Sequence, residues 1–89
     1  MTSKIIAVVG SVTTASRLEK MLAKAYGASA RIIHTPSVLG YGGCSYSVKT
    51  KKQHLPLVKE LASKYKIKVK EYYIIDTVGG KEVYHAVSR

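Results

Sequence analysis

The sequence contains a single cysteine, no tryptophan, no phenylalanine, two prolines and only five acidic residues against fifteen lysines and arginines. One cysteine, Cys44, excludes a disulfide within the chain and a metal site made of several of its own thiolates. The shortage of carboxylates leaves a formal charge of +10, so the surface field favours anionic partners and discourages self-association. Long apolar runs are also missing. The longest, Ile5 to Val9, is far short of the roughly 20 residues of a membrane span and too short for a signal-peptide core. These features predict a soluble, cytoplasmic protein with no membrane association. Seven tyrosines are the only large aromatics, and this bias has no functional account in the sequence.

What is present is globular usage: 46% hydrophobic and 22% charged residues, outside the regime that leaves chains unfolded. A chain of 89 residues supports one core, so residues 1–89 are read as a single domain without linkers or internal repeats.

Ile5 to Val9, β-branched and closed by Gly10, has the pattern of a strand buried on both faces. Ser11, Thr13 and Thr14 then offer capping oxygens, and Ala15, Leu18, Leu22 and Ala25 recur at helical spacing until Gly27. Arg31 to His34 reads as a second strand ended by Thr35-Pro36, because proline donates nothing to a ladder. Ser37 to Gly43 is a glycine-rich loop, and Cys44 to Thr50 alternates as a third strand with Cys44, Tyr46 and Val48 on one face. Pro56 suits the first turn of a second helix with Leu57, Val58, Leu61, Ala62 and Tyr65 as its stripe. Val69 to Val78 forms a fourth strand. Gly79-Gly80 signals a hairpin within residues 72–87, returning Glu82 to Val87 as an edge strand.

This order is the α+β, ferredoxin-like βαββαβ plan: a two-layer sandwich with an antiparallel sheet and an extra C-terminal edge strand. The plan brings Gly10 to Thr14, Tyr41 to Cys44 and Lys64 to Lys68 to one edge, although they are far apart in sequence. A helix N-terminus and nearby lysines both stabilise an anion, and a thiolate is one. Glycines beside Cys44 favour access to its sulfur, whereas its register with Tyr46 and Val48 favours burial as a small hydrophobe. The register leaves both readings open.

The segments Ser11 to Lys20, Arg31 to Pro36 and Leu39 to Cys44, in this order and spacing, resemble the small bacterial selenium/sulfur carrier protein-like family over about residues 4–76. The resemblance implies that Cys44 carries a covalently bound sulfur or selenium atom, received from a donor protein and passed to an acceptor. The candidate pocket around it comprises Ser11, Thr13, Thr14, Thr35, Pro36, Tyr41, Gly42 and Gly43, with Lys66 and Lys68 as its cations. The family typically has Arg after the Thr-Pro and Gly after the cysteine, where this chain has Ser37 and Ser45. The missing Arg removes a guanidinium that would pair with a bound anion.

The chemistry suits a carrier or binding protein better than a self-contained catalyst. No catalytic triad is visible, and His34, His54 and His85 lack metal-ligand spacing, so neither catalytic residues nor metal ligands are expected. A rival reading is an RNA-binding module. Gly40, Tyr41, Gly42 and Tyr46 match the signature of an RNA recognition motif, but Gly43 and Leu39 stand where it has a second ring and a cation. Each absent ring forfeits about 1–3 kcal/mol of base stacking. Lys49, Lys51 and Lys52 form one basic cluster and Lys64 to Lys70 another, at opposite ends of the plan. A third reading is a homodimeric regulatory domain that adds strands through the Lys81 to Val87 edge.

Overall fold

The computed structural model describes residues 4–27, 29–41 and 45–87. Its elements follow the order β1 (Lys4–Val9), α1 (Val12–Tyr26), β2 (Ala30–His34), β3 (Tyr46–Lys51), α2 (Leu55–Lys64), β4 (Glu71–Val78) and β5 (Lys81–Ala86). Short 3-10 turns occur at Ser37–Leu39 and Lys52–His54. The strands form one sheet in the order β2-β3-β1-β4-β5, with every neighbouring pair antiparallel. This is the ferredoxin-like sandwich with the expected fifth strand at its edge.

Local chemistry explains the element boundaries. Ser11, in extended conformation, caps α1 by accepting from the Thr14 amide, and Gly27 ends it at φ 63°, donating back to the Ala23 carbonyl. Leu18 and Leu22 are fully buried on the inner stripe of α1 with Ala15. Ala25, expected on that stripe, is exposed in the last turn of α1, next to the Gly27 C-cap. On α2 the buried residues are Val58, Leu61 and Ala62. Tyr65, expected to be buried with them, is 44% exposed at the C-cap, where the helix geometry that defined the stripe has ended. The following turn places Lys66 at φ 55°, a left-handed conformation that costs a non-glycine residue about 1–2 kcal/mol.

Both helices lie on one face of the sheet, where Ile5, Ala7, Val9, Val48 and Tyr72 join their stripes in the main core. The opposite face is also partly closed. Ile6 and Val8 are fully buried there beside Ile75, covered by Ile33, Leu39, Tyr41, Tyr73 and Tyr84. Leu39 and Tyr41, between β2 and β3, thus lie over the sheet, which is why β1 needs apolar residues on both faces.

Candidate functional site

The strand register defines the edge on which the candidate residues converge. Val9 pairs with Tyr46, His34 pairs with Tyr46, and Val8 pairs with Glu71. The end of β1, the start of α1, the β2–β3 connection and the start of β4 therefore share one end of the sheet. Cys44, Gly42 and Gly43 lie outside the described residues. Their sequence neighbours Tyr41 and Ser45 are described, and both are anchored at this end.

Ser45 is buried and donates its hydroxyl to the Val9 carbonyl at 3.1 Å, while its own carbonyl accepts from the Thr35 amide at 3.1 Å. The Thr35 hydroxyl meets the Ser47 hydroxyl at 2.8 Å, with both residues buried. Pro36 follows, half-buried, and its carbonyl accepts from the Leu39 amide to open the 3-10 turn. The connection is therefore tied to β1 and β3 through small polar side chains. Thr35→Val removes the partner of a fully buried hydroxyl, Ser47, and is expected to cost about 1–3 kcal/mol in urea unfolding. Adding Ser47→Ala should recover part of that loss, since an apolar pair leaves no buried donor unsatisfied.

At the start of α1, Ser11 Oγ lies 3.0 Å from Thr14 Oγ1 and 3.2 Å from the Thr14 amide nitrogen, whereas Thr13 is exposed. The first turn of α1 contains no acidic residue, so nothing on the helix itself offsets its positive end. Lys66 and Lys68 are exposed on the α2–β4 connection. The lysine that reaches the candidate residues is instead Lys70: its ammonium lies 5.9 Å from the centre of the Tyr41 ring, and its stem passes beside Gly10. Its amide also donates to the Val8 carbonyl at 2.8 Å, fixing β4 beside β1.

Sequence reasoning missed Lys70, Tyr73 and Ser45. Tyr73 stands on the sheet face away from the helices, with its ring edge-on to Tyr41 and the two hydroxyls 2.9 Å apart. The bond to Tyr41, then burial, then the negative charges near it push the Tyr73 hydroxyl up to about 12. Alternation along β4 places Tyr73 with Ile75, but only the fold-back of Tyr41 supplies its partner. The neutral phenol is thus favoured in the folded state. Above pH 10 the unfolded chain has lost this proton while the folded chain keeps it, so its contribution to stability is complete below pH 10 and disappears as pH rises towards about 12. In Tyr41→Phe, ultraviolet titration should show the Tyr73 transition moving down towards 10 but staying above it, since burial remains.

Tyr41 and Tyr46 do not form a shared stacking surface. Tyr46 packs with the helix-side core and against His34, ring centres 4.7 Å apart, while Tyr41 belongs to the opposite face. Among the described residues no group of three or more His, Cys, Asp or Glu is arranged to hold a metal, and no helix is long and apolar enough to cross a membrane.

A family model described as "Putative Se/S carrier protein-like" matches residues 4–74. No curated protein and no solved structure matches the chain.

Proposed function

The chain belongs to the Se/S carrier protein-like family, and from that premise we propose that it carries a sulfur or selenium atom on Cys44 between a donor and an acceptor protein. The observation that carries the reading is that the chain's one cysteine falls inside the matched segment. The Cys44 thiolate attacks the outer sulfur of a donor persulfide, forming a Cys44 persulfide and releasing the donor's thiolate. An acceptor thiolate then attacks that outer sulfur, becomes the persulfide and regenerates the Cys44 thiolate. Each step exchanges one S–S bond for another with no net oxidation, and selenium follows the same course through S–Se bonds.

The described surroundings support this chemistry. Tyr41 and Ser45, which bracket the Gly42-Gly43-Cys44 segment in sequence, are held at the end of the sheet where α1 starts. That end combines the N-terminus of α1, whose first turn holds no acidic residue, with the Lys70 ammonium, and both favour a thiolate over a thiol. In this reading Lys70 supplies the positive charge that the family's arginine brings at the Ser37 position.

The test is loading of the folded protein from a persulfide donor, read by intact mass, alongside the pH dependence of Cys44 alkylation. We expect one added sulfur on Cys44 and an alkylation midpoint below the value of about 8.5 for a free thiol. A midpoint at or above that of the urea-unfolded chain, or no reaction while folded, overturns the reading.

A further inference from the structure

The other end of the sheet carries a different feature. Alternation puts Lys4 on the same face as Ile6 and Val8, and the register sets Lys51 opposite Lys4, Lys49 opposite Ile6, and Arg31 opposite Lys49. Two like-charged pairs, Arg31 with Lys49 and Lys51 with Lys4, therefore stand side by side across three strands. Directly opposed residues have backbones about 4.5–5.5 Å apart, and like charges so placed weaken a sheet. The four cations line a solvent-open cavity of about 490 Å³ together with Ala30 and one carboxylate, Glu19. Lys49 is held by the half-exposed Glu82 at 3.6 Å, an ion pair of the kind that contributes little to stability. Among the described residues, Lys4, Arg31 and Lys51 make no ion pair.

Charges that repel one another in the free protein become favourable around an anion. Lys49 and Lys51 are two residues apart along β3, so the backbone positions of the two cation pairs repeat every 6.8 Å or so, at about 3.4 Å of rise per residue. An extended row of this kind fits a chain of phosphates carrying one charge per unit better than a single compact anion. Arg31 supplies a fork for a phosphate and the lysines supply point charges. The cavity lining includes no aromatic ring, so it offers no surface for base stacking.

We propose that Lys4, Arg31, Lys49 and Lys51 form a binding site for the phosphodiester backbone of single-stranded nucleic acid, independent of base sequence. This site lies at the opposite end of the sheet from Ser11 and Ser45, and it stands apart from the carrier reading. It also differs from the pattern of an RNA recognition motif, because it uses no aromatic platform.

Fluorescence anisotropy of labelled oligo(U), titrated with the full chain from low to physiological salt, tests it. Each neutralised phosphate of a single strand contributes about −0.7 to the slope of log K against log salt. Lys4→Ala, Arg31→Ala and Lys51→Ala should each make the slope shallower by about that amount. Lys64→Ala and Lys68→Ala should leave it unchanged, and oligo(A) and oligo(C) should bind like oligo(U). Lys51→Glu supplies a second readout: it should raise the melting temperature of the free protein, by relieving repulsion with Lys4, while weakening binding. Unchanged slopes in the three alanine variants, equal losses in both lysine sets, a strong base preference, or a lower melting temperature for Lys51→Glu overturns the proposal.

Discussion

Cys44→Ser is expected to abolish chalcogen loading completely, with no added sulfur or selenium detected by intact mass after incubation with a donor. The size of the effect follows from chemistry. The carrier step needs an ionised nucleophile at neutral pH, which a thiol approaches and a serine hydroxyl does not. No second cysteine exists to take over. The variant should keep its fold, with unchanged circular dichroism and melting temperature, so that loss of loading is not loss of structure. Residual loading of the serine variant would assign the acceptor to some other group and overturn the carrier reading.

Leu18→Ala carries the largest expected effect on stability. Leu18 is fully buried on the inner stripe of α1, in the core shared by both helices and the sheet. Truncation to alanine forfeits its transfer free energy and leaves a cavity, together about 2–5 kcal/mol. At about 0.05–0.15 kcal/mol per residue, a domain of this size has a net stability on the order of 4–13 kcal/mol, so a large fraction is lost. Urea unfolding should show a lower midpoint at unchanged slope. The consequence reaches the candidate site, because α1 begins at the Ser11 cap and its seating on the sheet positions that end. A loss below about 1 kcal/mol would mean that the α1 stripe is not packed as described.

Several parts of this organisation were legible before any coordinates. The apolar run from Ile5 to Val9 announced a strand buried on both faces, and all five residues are fully buried. Ser11 and Gly27 marked the ends of α1, and Gly79-Gly80 marked the hairpin, with both glycines at positive φ. The third strand was less legible: the alternation includes Ser45, which the structure leaves outside β3, Tyr46–Lys51, while Cys44 lies outside the described residues. Alternation reports which residues suit a strand, whereas the pairing is set by how the β2–β3 connection is tied down through Thr35 and Ser45.

The lysine series showed the same limit at the candidate site. Lys64, Lys66, Lys68 and Lys70 are equivalent as composition, yet only the last is followed directly by β4 and reaches Tyr41. Lys66 sits in the turn that ends α2, its backbone left-handed.

Periodicity, capping residues and turn glycines are read within a few neighbouring residues, so element order and the two-sided burial of β1 follow from the chain alone. Pairings between distant residues depend on register, which no local pattern specifies. The fold-back of Tyr41 onto Tyr73, the Thr35–Ser47 bond and the facing cations Arg31 with Lys49 and Lys4 with Lys51 were decided only when the strands were laid side by side, because shifting a strand by one residue sends its side chains, Tyr73, Ser47 and these cations among them, to the opposite face.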